Sequence, residues 1–172
     1  TITPLYATES PLISEEPFIT DKSLQGLSLQ DISLSVLNSK GKVVTEHVMD
    51  LLFTHFGISG PAALRCSSFI NQELKKTEKP VTVVLDCFPT RSVQELTSEL
   101  TQKSKQSKKT LANAWHGFLP ERLLLFFLEK SQLTDQLGLH TTEKEIQAFI
   151  QLCKSFTFKI SKTFPIEKSF VT

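Results

Sequence analysis

Glycine is scarce, six in 172 residues, and no G-x-G-x-x-G occurs anywhere in the chain. A dinucleotide pyrophosphate needs such bare backbone to approach, so the chain lacks a conventional dinucleotide cradle of its own. Cysteine is scarcer. Cys66, Cys87 and Cys153 are an odd number, widely spaced and without a C-x-x-C pair, which argues against a disulfide framework or a zinc site and for reduced thiols in the cytoplasm. No sign of charge dominates: 19 Lys and Arg against 18 Asp and Glu leave a formal +1, which gives little weight to an electrostatically driven nucleic-acid or membrane binder. Long apolar runs are missing too. The best of them, Leu123 to Leu128, falls far short of the roughly 20 residues of a membrane helix, and we expect neither a secretory leader nor a membrane partner. No metal-ligand spacing is visible.

What is present can fold. With 40% hydrophobic residues the chain can bury a sizeable core, as one domain or two small ones. The first half is patterned for strands. Leu27, Leu29, Ile32, Leu34 and Val36 alternate with polar residues, but the two sets fall out of phase across Gln30-Asp31, which implies a bulge or a strand break. Asn38-Ser39-Lys40-Gly41 is a turn, and Val43 to Val48 returns as the second arm of a hairpin. Leu51 to Phe53 reads as the end of a buried strand, Pro61 to Leu74 as an amphipathic helix ended before Pro80, and Val81 to Cys87 as a β-branched strand.

From Thr90 the pattern is helical. Ser92-Val93-Gln94-Glu95 and Thr142-Glu143-Lys144-Glu145 are capping boxes, opening a helix from Val93 to Ser104 and another that carries Ile146, Phe149, Ile150 and Cys153. Thr110 to Gly117 and Pro120 to Lys130 read as two more helices, after a connection rich in lysine and serine from Lys103 to Lys109. Those lysines beside Trp115-His116 could hold phosphates and stack a base, but a solvated linker and a core tryptophan are the better readings. The tail alternates at Phe156, Phe158 and Ile160, breaks at Pro165 and ends on a strand-like Ser169 to Thr172. This order predicts an α+β chain: a β-rich subdomain, residues 1–89 and 155–172, with a helical subdomain, residues 90–154, inserted into it.

The chemistry concentrates at Phe53-Thr54-His55-Phe56-Gly57-Ile58-Ser59-Gly60-Pro61. Pro61 suits a first helical position, and Ser59 or Gly60 suits the cap before it. The free N–H groups of Ala62 and Ala63 and the helix dipole would form a small positive spot able to meet a phosphate, a carboxylate or a ring carbonyl. Thr54 and His55 are the best polar candidates nearby. The same turn is also common in proteins that bind nothing there, and a histidine among apolar residues is more often structural than catalytic.

The stretch Thr54 to Pro61 closely resembles the internal signature of the bacterial YhiN-like or BaiN-like NAD(P)/FAD-dependent oxidoreductases, also described as aminoacetone-oxidase-family flavoproteins. Other stretches are similar in the same order: Thr3-Pro4-Leu5, the LQGLSL of Leu24 to Leu29, Leu119-Pro120-Glu121-Arg122-Leu123, and Phe170-Val171-Thr172. The resemblance implies a β-barrel-like subdomain with an inserted small helical bundle, placed on the substrate side of a flavin enzyme. It also implies that the Rossmann-type FAD domain lies outside this chain, on both sides of it. The chain opens without methionine and closes on an apolar run, which fits a piece of a longer polypeptide.

The resemblance therefore implies a substrate-side insert of a FAD-dependent oxidoreductase, covering the flavin and shaping the pocket, not catalytic by itself. FAD would belong to the full-length protein, with none bound by this piece alone. The flanking FAD domain, a small-molecule substrate and NAD(P)H are the partners to test; the substrate and the nicotinamide preference stay open. His55 and Thr54 are the candidate catalytic residues, and Gly57, Ser59, Gly60 and Pro61 the candidate flavin- or substrate-facing turn. The alternative is a non-catalytic protein- or RNA-interaction module, which an exposed apolar stripe along Leu123 to Leu128 would favour.

Overall fold

The computed structural model describes residues 10–163. Thr3-Pro4-Leu5, Pro165 and the stretch from Ser169 to Thr172 lie outside the described residues. The described chain forms two compact units, residues 10–87 with 157–163, and Phe88–Phe156.

The first unit is built on a seven-stranded sheet. Its strands are β1 (Leu12–Ile13), β2 (Ser28–Leu37), β3 (Val43–Phe53), β4 (Gly57–Ser59), β5 (Val81–Asp86), β6 (Phe156–Ile160) and β7 (Lys162–Thr163), in the spatial order β6-β5-β2-β3-β4-β1-β7. Two helices accompany them, α1 (Pro17–Thr20) and α2 (Gly60–Thr77). The pairs β1–β4, β1–β7, β2–β3, β2–β5 and β3–β4 are antiparallel. Among the described residues no ladder closes the sheet. Its two edge strands, β6 and β7, are nevertheless consecutive in the chain with Ser161 between them, so the sheet curls until its edges meet. Over the described residues, the barrel-like subdomain that the resemblance implies is thus a curled, unclosed sheet.

The phase change in β2 is a bulge. Pairing with β3 shifts between Leu29 and Ile32, where Asp31 takes φ +52 and donates its N–H to Asp50 Oδ1 at 3.1 Å. The shift keeps both apolar sets inside: Leu29 on one side of it, and Ile32, Leu34 and Val36 on the other, are all buried. Leu34 and Val36 pair with Leu85 and Val83, all four fully buried, and each such side chain contributes about 1.5–3 kcal/mol. Small residues let α2 approach this sheet closely. Ala62, Ala63 and Cys66 are fully buried, and Cys66 Sγ reaches the Leu34 carbonyl at 3.7 Å. A second cluster joins Phe18, Phe53 and Phe158, with ring centroids 5.4–6.4 Å apart.

The second unit is helical: α3 (Val93–Ser104), α4 (Leu111–Ala114), α5 (Glu121–Lys130), a 3-10 turn (Gly138–His140) and α6 (Glu143–Lys154). Both capping boxes form, Ser92 with Glu95 and Thr142 with Glu145. The third predicted helix is cut short at Ala114, because Trp115 leaves helical geometry and Gly117 takes φ +89. Trp115 is fully buried, donates its indole N–H to Ser104 Oγ at 2.8 Å and packs 4.9 Å from Phe149. Lys154, in the last turn of α6, donates to the carbonyls of Phe88 and Arg91 at 2.6 and 2.7 Å, tying the two ends of the unit together.

Candidate functional site

The stretch from Phe53 to Pro61 resolves into a hairpin and a helix start. The sequence predicts a direct strand-to-helix turn; the structure places a further short strand, β4, inside it. Thr54, His55 and Phe56 reverse the chain, β4 returns with Ile58 opposite Phe53 and Ser59 opposite Leu52, and α2 begins at Gly60. Thr54 organises the reversal. Its N–H donates to the Gly57 carbonyl at 2.9 Å, and its hydroxyl accepts from the N–H groups of Phe56 and Gly57 at 3.3 and 3.1 Å. An Oγ1 used this way keeps only its own proton to offer elsewhere.

His55 stands exposed beside the edge of Phe56, with ring centroids 5.2 Å apart. Among the described residues no hydrogen bond joins it to Thr54 or Ser59. Ser59 occupies the cap position without a side-chain cap bond, Pro61 is in the first turn, and that turn holds no acidic residue. The first turn of α2 therefore contributes no carboxylate of its own to its positive dipole end.

The two glycines serve the fold. A Cβ on Gly57 would lie 2.0 Å from the Leu12 carbonyl oxygen, so its bareness admits β1 alongside β4. Gly60 has φ +88, and a Cβ there would meet Leu52 N at 3.2 Å. Both faces are turned to the chain's own backbone, so neither opens a dinucleotide cradle. The residues of this chain do not fit a flavin dinucleotide at that turn. What remains for a ligand is the Ser59 hydroxyl, the first-turn N–H groups and His55. Among the described residues no group of His, Cys, Asp and Glu is placed to hold a metal ion.

In the helical unit, Lys105, Lys108 and Lys109 are exposed on the α3–α4 connection. Lys103 is engaged, 3.4 Å from Glu99, which Arg91 also meets at 2.7 Å. Partial burial would raise the Glu99 carboxyl, but these two cations hold it below its usual range. Beside the lysines lies a hollow of about 440 Å³ lined by Ser104, Lys105, Gln106, Gly138 and Thr141 among others. Trp115, buried beneath, cannot stack a base. The run from Leu123 to Leu128 is no exposed stripe: Leu123, Leu124, Phe127 and Leu128 face the core, and Leu125 is the large aliphatic residue left outside.

The sequence reading passed over Glu73, a buried carboxylate on α2. The signal was there, since it continues the spacing of Cys66 and Ile70 along the helix's apolar face. No helix among the described residues is long and apolar enough to cross a membrane.

The family model for the HI0933-like protein barrel and H2TH domain matches residues 6–171. The chain belongs to this family. A ribosomal RNA dihydrouridine synthase from Haemophilus influenzae is 29% identical over 152 residues, covering 86% of this chain and 35% of that protein. The chain thus spans little more than a third of that relative's length. The HI0933-like domain comprises, in this chain, both the curled sheet and the helical unit, since the family match runs through both.

Proposed function

We propose that this HI0933-like domain is the substrate-side insert of a FAD-dependent oxidoreductase acting on RNA. The observation that carries the insert reading is the pairing of β1 with β7. Leu12 lies opposite Thr163 in an antiparallel pair, so the incoming and outgoing chain run side by side. Both are fastened to α2: Ser10 N–H donates to Ser67 Oγ at 3.0 Å, and Thr163 Oγ1 reaches Asn71 Oδ1 at 3.4 Å, one helical turn further on. A domain set into another needs two such adjacent connections.

FAD, bound by the remainder of the polypeptide, would supply hydride chemistry. This chain's part is to bind, orient and shield the substrate. His55, exposed at the hairpin tip, can hold and deliver a proton, and the first-turn N–H groups of α2 can stabilise charge on a base carbonyl. The relative's name supports RNA as the substrate class, and Lys105, Lys108 and Lys109 supply exposed cations for phosphates. The test is mutational, in the full-length protein. His55→Ala and Ser59→Ala should each lower turnover on ribosomal RNA about 10²-fold or more, with the unfolding midpoint unchanged. Lowered stability with normal turnover would leave the turn a purely structural one.

A further inference from the structure

A hollow of about 340 Å³ opens at the C-terminal end of α2, bounded by the β2–β3 turn at Asn38 and Ser39, by Thr77 and Lys79, and by Lys159 of β6. That is the lower end of the range for small-molecule sites, roughly 300–1,000 Å³. Glu73 forms part of its wall and is 8% exposed. Its backbone carbonyl accepts from Thr77, but among the described residues its carboxylate has no hydrogen bond or ion pair. No buried side-chain oxygen among those residues is sealed off without a partner, so the carboxylate must meet solvent, and the hollow is where it does so. The helix stops one turn later, with Lys75 and Lys76 in its last turn and Glu78 in the left-handed conformation at φ 55.

The chemistry of these groups defines a ligand. An ionised carboxylate only accepts, and its two oxygens are best met by two parallel N–H donors. The exposed Lys79 and Lys159 also line the hollow and favour an anionic group, and Leu37, Pro80 and Val81 add apolar wall. A planar ring with paired N–H donors on one edge and a phosphate at the other end meets all three demands. Among RNA bases this selects guanine, whose N1–H and 2-amino group stand side by side. Adenine and cytosine set an amino group beside a lone pair, and uracil flanks its N–H with carbonyl oxygens that a carboxylate repels. An arginine side chain has the same fork but would bring its positive charge to two lysines.

We propose that this hollow binds a guanine nucleotide, with Glu73 reading the base edge and Lys79 and Lys159 holding the phosphate. The site is separate from the turn at Thr54 and does not depend on that turn's role. Calorimetric titration of the intact protein with GMP, IMP and AMP tests it. GMP should bind, IMP, which lacks the 2-amino group, about tenfold more weakly, and AMP not measurably over the same range. Glu73→Gln should bring GMP and IMP within about twofold of each other. Because a change at a buried residue can disturb folding, Lys159→Ala at an exposed strand position gives a second reading: about tenfold weaker GMP binding with the GMP-to-IMP ratio kept. Competition with a short single-stranded RNA carrying one guanosine separates the sources, a strand-borne base if the RNA binds more tightly and a free nucleotide if GMP does. Equal binding of GMP and AMP, no binding of GMP by the folded protein, or tighter binding of arginine amide would overturn the proposal.

Discussion

Gly57→Ala should be the most damaging single-methyl change at the hairpin. The added Cβ would stand 2.0 Å from the Leu12 carbonyl oxygen, 2.9 Å from its carbon and 3.0 Å from Ile13 Cα. These are backbone atoms with no rotamer to escape into, so β1 must move off β4. Overpacking alone costs about 1–3 kcal/mol. Displacing β1 also uncovers Leu12, now fully buried, for about 1.5–3 kcal/mol more. A total of about 2.5–6 kcal/mol follows, or a fall of roughly 1–3 M in the urea midpoint at a slope of ~2 kcal/mol/M. Two other glycines calibrate the scale. Gly60→Ala meets φ +88 and a 3.2 Å contact, and should cost about 2 kcal/mol. Gly26→Ala has φ +85 with open space around it, and should cost about 1 kcal/mol. Urea unfolding followed by circular dichroism gives all three values. If Gly57→Ala falls within about 0.5 kcal/mol of Gly26→Ala, the close approach of β1 is not what demands glycine there.

Trp115→Phe should cost about 1–2 kcal/mol, by removing the indole N–H from Ser104 Oγ at 2.8 Å, while Trp115→Ala should cost about 3–5 kcal/mol; thermal unfolding separates them. Lys154→Met should destabilise the protein by about 1–3 kcal/mol and raise amide exchange around Phe88 and Arg91, whose carbonyls lose their donor. Burial pushes the Cys66 thiol from 9.0 up to about 12. The folded state thus holds that proton more tightly than the unfolded one. Its stabilisation is complete below pH 9 and is lost, at about 1.4 kcal/mol per pH unit, as pH rises towards 12. Alkaline unfolding of Cys66→Ala should show the shallower dependence. Iodoacetamide at neutral pH should modify the half-buried Cys87 before the buried Cys66 and Cys153.

The helices with a complete local code were legible from the chain. Ser92 to Glu95 and Thr142 to Glu145 each carry cap and reciprocal acid within one turn, and both boxes form. The bulge at Gln30-Asp31 was legible because a phase slip in an alternating strand has few other outcomes. β1 was not, since two residues between prolines carry no period, and it is defined by partners at Ile58 and Thr163 far along the chain. Nor was β4. Gly57 reads as turn chemistry in isolation, and only the neighbouring Leu12 carbonyl reveals it as a packing glycine. Local signals likewise overstated the helix ending at Gly117, where the pull of Trp115 into the core wins over helix propensity. At the candidate site, Thr54 and Ser59 were found by residue type, but their duties were not: Thr54 builds the turn, while Ser59 makes no cap bond.

The most direct test replaces residues 10–163 in the full-length protein by a short Gly-Ser linker. Paired strands lie about 4.8 Å apart, so a few residues bridge the chain where Leu12 and Thr163 stand opposite each other. A folded product that keeps its yellow flavin absorbance but no longer binds or reduces ribosomal RNA is the predicted result. A folded product that loses the flavin, or one that still turns over RNA at the original rate, would contradict the assignment of this domain to the substrate side.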